Sequence, residues 1–292
     1  MKTTKNKKPM IELKNIRKSY GKVEVLNGIS FSMKETEKVA ILGANGAGKS
    51  TLVEIIAQIK EPTTGSIKYS FGTTKKDISK NIGIQFQESV YPLFFLSMDI
   101  IRFVIESSGL KMSKNELNKW LDIFMLKDIV GKQAADLSGG QKQRMNILLA
   151  MITNPKLLLL DEVSNGLDIE ARTEIKAFIK KLVKEQNKSL ILVSHNPDEI
   201  EYLCDRVIVI HKGLIYEDVS VKHILKKHTT VANYLDNLFM KEFKNPTKKT
   251  VAKKTPAKKP VAKKTVAKKP VAKKTTKKAV AKKKPITKKV VK

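Results

Sequence analysis

The chain has 292 residues, and 58 Lys and Arg against 28 Asp and Glu give it a formal charge of +30, although 41% of it is hydrophobic and only 6% aromatic. The charge is uneven: residues 246–292 hold 20 Lys and no acid, leaving +10 in the first 245, so the expectation is a globular body, preceded by a short basic arm (1–9), with a cationic tail. The single Cys204 excludes an internal disulfide, the Lys-rich start has no apolar stretch behind it to make a signal peptide, and no run reaches the ~18 apolar residues of a membrane span, so a cytoplasmic protein that does not insert by itself is expected.

From residue 10 to about 218, short β-rich runs alternate with helical patterns, which predicts an α/β domain built on a largely parallel sheet. In chain order the expected elements are a strand at 11–13, a strand at 39–42, a helix at 49–58 and a strand at 82–85. Residues 90–105 are apolar but interrupted by Pro92, Ser97, Asp99 and Arg102, so they read as a loop running into an amphipathic helix. Helices follow at 114–124 and 141–152, a strand at 157–160, a helix at 169–184 and a strand at 190–193. Asn196-Pro197-Asp198 opens a short helix to 202, and a strand follows at 207–210. Within 218–243 a helix near 231–243 is expected to pack on the body. From 251 the chain turns to Val-Ala-Lys-Lys-Thr or Pro pentads. Their period matches neither helix nor strand, and their apolar content is too small to offset ordering entropy, which predicts disorder over 246–292.

Gly43-Ala44-Asn45-Gly46-Ala47-Gly48-Lys49-Ser50-Thr51 fits the G-x-x-x-x-G-K-[ST] phosphate loop, with an expected strand before it and a helix after it. Glycines let successive backbone N–H groups point inward, and the helix start adds its positive dipole end, so the loop can cradle a polyphosphate. Lys49 would reach the terminal phosphates and the Ser50 hydroxyl would hold Mg²⁺. The four leucines 157–160 run into Asp161-Glu162. A strand's two faces alternate, but at its end both acids can approach one site, Asp161 as a metal-side ligand and Glu162 as a general base for water. Ahead of that strand lies Leu137-Ser138-Gly139-Gly140-Gln141-Lys142-Gln143-Arg144, where Ser138 can cap a helix whose first amides Gly139 and Gly140 leave uncovered for an anion.

That octapeptide resembles the signature motif of ATP-binding cassette (ABC) proteins, and the resemblance covers about residues 10–218. It implies a P-loop NTPase fold, an ABC-type ATPase domain over 10–245 with a helical subdomain carrying the signature motif. It further implies that Tyr20 stacks on adenine, Gln87 senses Mg²⁺ and contacts the membrane partner, Asn165-Gly166-Leu167-Asp168 couples two subunits, and His195 stands near the γ-phosphate. Ser138 to Gln141 would join the nucleotide site. Gln85 offers a second glutamine two residues from Gln87, though Gln87 fits better at the end of the apolar run, and Val163 stands where the family most often has proline, a change that loosens that turn but leaves both acids in place.

One phosphate loop and one signature motif make half an enzyme in such a family. The resemblance therefore implies ATP and Mg²⁺ sandwiched between two nucleotide-binding domains, as a homo- or heterodimer. The work would be done on a separate integral membrane permease, docked near Gln87 and residues 90–106, which places the chain peripherally on the inner face of the cell membrane. A general resemblance to compact exporter-type cassettes tilts the direction toward export. The Lys-rich tail looks like the C-terminal arms of linker histones and suits either anionic lipid or nucleic acid. The alternative is a nucleic-acid-associated ABC-type ATPase tethered by that tail. Against it, the chain has neither a second cassette nor heptads between Lys49 and Ser138.

Overall fold

The computed structural model describes residues 8–86, 90–238 and 240. The chain divides into two units, Met1–Thr247 and Lys248–Lys292, and every described residue belongs to the first. The expectations for Gln87, for the arm before residue 8 and for the tail from 246 lie outside the described residues.

Two sheets form. In the first, β1 (Ile11–Tyr20) pairs antiparallel with β2 (Val23–Met33) on one side and β4 (Thr64–Tyr69) on the other. The second has six strands, β3 (Lys38–Leu42), β5 (Ile82–Gln85), β6 (Leu157–Asp161), β7 (Ser189–Val193), β8 (Arg206–His211) and β9 (Leu214–Ser220), in the order β5-β6-β7-β3-β8-β9. All its pairings are parallel except β8 with β9.

The parallel strands are apolar without interruption because both faces are covered, and their period of two sorts them into two cores. Val39, Ile41, Leu157, Leu159, Ile191, Ile208 and Ile210 pack toward the antiparallel sheet and α1 (Lys49–Ile56). Their neighbours Ala40, Leu42, Leu158, Leu160, Leu190, Leu192, Val207 and Val209 pack toward α5 (Gly139–Met151) and α6 (Ile169–Glu185). The same second core takes in Ile101 and Ile105 of α3 (Ser97–Ser107) and Leu121 of α4 (Lys114–Ile123).

The site is positioned by strand order. β3 lies beside β7 and β7 beside β6, all parallel, so the segments leaving their C-terminal ends emerge together at one edge of the sheet.

Several expected elements change. The strand at 11–13 continues to Tyr20, with Asn15 at φ +50 where the register slips, and that irregularity broke the alternation read from sequence. β2, β4 and β9, together with α2 (Lys75–Lys80) and α8 (Val221–His228), were not anticipated; these strands are half-exposed, so charged and small residues interrupt their apolar runs. The first helix stops at Ile56 rather than 58, α5 begins at Gly139 rather than 141, and α7 spans Pro197–Leu203. The helix expected at 231–243 forms as α9 (Val231–Asn237), and the part of that expectation at 239 and 241–243 lies outside the described residues.

Candidate functional site

The segment from Gly43 to Gly48 leaves β3 and enters α1. It can curl only because of its glycines. Gly43 has φ +154, and a Cβ there would stand 2.3 Å from the Ile210 carbonyl oxygen; Gly48, the residue before the helix, has φ +99, and a Cβ there would meet Leu26 at 2.6 Å. Ala44, Asn45 and Gly46 are exposed at the crest, while Ala47 is buried and donates its amide to the Ala44 carbonyl at 3.1 Å.

Lys49, the first residue of α1, is only 8% exposed. Its ammonium donates to the carbonyls of Gly43 at 2.8 Å and Ala44 at 3.2 Å, bracing the loop from beneath. Burial pushes its pKa down, and the negative charges of Glu162 and Asp161 oppose that shift. Ser50 donates its hydroxyl to Asp161 at 3.3 Å. Asp161 ends β6 and is itself buried; burial and the adjacent Glu162 charge raise its pKa, with the Ser50 bond and Lys49 acting against them.

Glu162 follows in the left-handed region, φ +50, with its amide bound to the Val193 carbonyl of β7 at 2.8 Å. That turn swings its carboxylate to the same side as Asp161. Val163, standing where the family most often has proline, is fully buried. One Glu162 oxygen lies 3.6 Å from His195 Nε2, and the other accepts from the Asn165 amide at 3.0 Å. The pKa of His195 is lowered by burial and by the Lys49 charge, against the pull of Glu162. Together Asn45, Gly46, Gly48, Lys49, Ser50, Thr51, Asp161, Glu162, Asn165 and His195 line one cleft of about 650 Å³, large enough for a nucleotide's phosphates.

The other expected site residues that are described sit outside that cleft. Tyr20 ends β1, 44% exposed, with the Lys18 and Lys60 ammonium groups 5.2 and 5.7 Å from its ring centroid. Ser138 caps α5: its hydroxyl accepts from the Gln141 amide at 3.3 Å, and the Gln141 side chain accepts from the Ser138 amide at 3.1 Å. Ser138 and Gly139 are exposed and Gly140 half-buried, so the first turn of α5 stands open, next to Leu167 and Ala171 rather than to Lys49. Asp168 caps α6 through the Ala171 amide at 2.8 Å. Gln85 is buried, and its side-chain oxygen has no hydrogen-bond partner among the described residues.

A residue given no role of its own in the sequence is Asn165. The resemblance marks it only as the first residue of the loop that would couple two subunits, and its bond to Glu162 is not legible in the sequence because that bond depends on the left-handed turn between β6 and α6. The Ser50 hydroxyl beside a carboxylate oxygen is a donor set suited to a hard divalent cation. Among the described residues no group of three or more His, Cys, Asp or Glu could hold a metal alone, so the remaining ligands would have to come from phosphate and water.

The profile of the ABC transporter family matches residues 26–165. The chain is 34% identical over 231 residues to the sulfate/thiosulfate import ATP-binding protein of Escherichia coli K12, covering 75% of this chain and 62% of that protein's length. It is 34% identical over 220 residues to the energy-coupling factor transporter ATP-binding protein of Malacoplasma penetrans, covering 72% of this chain and 76% of the relative. Among solved structures it resembles a dimeric ATP-binding cassette in a post-hydrolysis state bound to ADP and phosphate, with a TM-score of 0.64 and 27% identity over 73% of this chain and 99% of the other. With the phosphate loop, the paired acids and the capped α5 start in one fold, and with these relatives, the chain belongs to the ABC transporter family as an ATP-binding domain.

Proposed function

We propose that this chain is the ATP-hydrolysing subunit of a membrane transporter, working as a head-to-tail dimer with a second nucleotide-binding domain and driving a separate permease from the inner face of the membrane. The observation that carries this reading is the division of the site. The phosphate loop, both acids and His195 share one cleft, whereas the open α5 start at Ser138 and Gly139 lies outside it. A second chain would supply the missing face, its Ser138–Gly140 amides closing on the phosphates held by the loop. The dimeric cassette among the structural relatives supports this arrangement.

In that complex Lys49 contacts the terminal phosphates, and Glu162 takes the proton from the attacking water as its oxygen bonds to phosphorus and the bridging bond breaks. His195, kept neutral by burial, positions the γ-phosphate, and Tyr20 stacks on the base. Ser50 and Asp161, with Gln87, would hold Mg²⁺, which offsets phosphate charge when bound.

Support for a permease comes from the surface ahead of α3. Val90, Leu93, Phe94 and Phe95 are all more than half exposed, a run of apolar side chains of the kind that marks a contact site. No helix among the described residues is long and apolar enough to cross a membrane, so the spanning part would come from that partner. The E. coli relative is named for import, which favours uptake over the outward direction suggested by the sequence. The Lys-rich tail would add contacts to anionic lipid at the same face, at about 1 kcal/mol per Lys close to the surface.

Glu162→Gln tests the core of the proposal. It should retain ATP, lose turnover and elute as a dimer only with ATP. A variant that hydrolyses at the wild-type rate, or stays monomeric with ATP bound, refutes it. Cutting the chain after 245 should leave turnover intact and remove sedimentation with anionic vesicles; nuclease-sensitive sedimentation instead would point to nucleic acid.

A further inference from the structure

Lysine is almost never buried without a partner of opposite charge, because desolvating an ammonium costs more than hydrogen bonds to neutral groups return. Lys188 is such an exception. It sits between α6 and β7, only 8% exposed, and no carboxylate lies within salt-bridge distance among the described residues. Its ammonium donates to the backbone and side-chain oxygens of Asn154, using two of its three donors. Asn154 lies on the connection from α5 to β6 at φ +52, in the left-handed region that asparagine tolerates better than most residues. Burial depresses the Lys188 pKa with no opposing charge.

Lys188 and Asn154 line an open cleft of about 600 Å³ at the opposite ends of β6 and β7 from the phosphate loop. Its apolar wall comes from the α3–α4 connection and α4, with Met112 and Trp120, and from Ile152. Lys111 adds a second cation at the rim. The one acid lining it, Glu116, stays ionised but is held in the cap of α4, where one carboxylate oxygen accepts from the Ser113 amide and hydroxyl, both at 2.8 Å, and it forms no ion pair with Lys188. The cleft therefore combines a buried cation that no carboxylate of the described residues touches with an apolar, partly aromatic wall.

We propose that this cleft binds a small carboxylate with an apolar body, the anion meeting Lys188 and the body lying against Trp120, Met112 and Ile152. Such a ligand would tie α4 to the ends of β6 and β7, at a site separate from the nucleotide cleft.

Trp120 is the chain's single tryptophan, so its fluorescence reports on this cleft directly. The full-length chain is titrated with octanoate, with 1-octanol and octylamine as neutral and cationic probes of similar length. Octanoate should give a saturable change and the other two should not. Lys188→Met, which keeps the apolar stem, should weaken octanoate by about tenfold or more while leaving ATP turnover unchanged. Lys111→Ala, at an exposed position with no fold to lose, should weaken it about threefold. Octanol matching octanoate, an unaltered midpoint in both variants, or no saturable signal would each overturn the proposal. A failure here leaves the transporter reading standing, since that rests on Glu162 and the nucleotide cleft.

Discussion

Replacing Lys49 by Met separates the loop's brace from its ligand role. In the nucleotide-free chain the ammonium is spent on the carbonyls of Gly43 and Ala44 and is nearly excluded from solvent. Methionine loses those two bonds but also removes a cation whose burial is unfavourable, so folding stability should change by no more than about 1 kcal/mol. Phosphate binding has no such compensation. If the same donors turn to phosphate oxygens, each charge-assisted bond contributes about 1.5–3 kcal/mol. Even the low end for two bonds, about 3 kcal/mol, weakens ATP by roughly 150-fold. Arginine keeps the charge, but its planar fork cannot reproduce a point donor under two carbonyls, and it should recover less than about tenfold of that loss. Calorimetric titration with ATP, alongside urea denaturation of the same preparations, reads both quantities. Lys49→Met binding ATP within threefold of the parent, with unchanged stability, would refute the assignment of this lysine to the phosphates.

Asn165→Ala removes a hydrogen bond to the Glu162 carboxylate, of the kind that contributes about 1.5–3 kcal/mol, so kcat should fall about 10- to 150-fold while KM for ATP holds; steady-state kinetics showing an unchanged kcat would deny it a positioning role. Tyr20→Ala should weaken ATP by about 5- to 150-fold if the base stacks there, with Tyr20→Trp restoring affinity, and equal affinities across the three proteins would remove the ring from the site. Burial pushes the Tyr69 phenol up to about 12, while in the unfolded chain it ionises near 10. Between those values the unfolded state sheds a proton that the folded state keeps, so this contribution to stability is complete below pH 10 and is lost as pH rises toward 12. Denaturation midpoints of Tyr69→Phe should therefore show a shallower alkaline decline than the parent, and parallel curves would count against it.

The parallel strands were legible because burial on both faces leaves them no polar positions: Leu157 to Leu160 and Leu190 to Val193 are apolar runs that announce themselves. The antiparallel sheet was legible only at its first residues. Beyond Leu13 the Asn15 irregularity and the basic residues Lys14, Arg17 and Lys18 hide the strand, since a half-exposed strand with a slipped register has no clean period to read. The chemistry-bearing residues were visible one by one, yet what assembles them is the long-range pairing of β6 with β7. Asp161 stands opposite Val193, which fixes the Glu162 amide on the Val193 carbonyl and leaves His195 two residues further along, close enough to share the carboxylate. No local pattern encodes that register, and Asn165 joins the group only because Glu162 takes the left-handed turn that follows from it. The same adjacency explains why Ser138 and Gly139 stand apart. Their helix packs against α6, with Gly139 against Leu167, so the start of α5 is tied to the loop that leaves the acids. A second chain that closed on that loop would meet the helix start and the Asn165 bond together, which would make Asn165 the point where contact between subunits reaches the carboxylate.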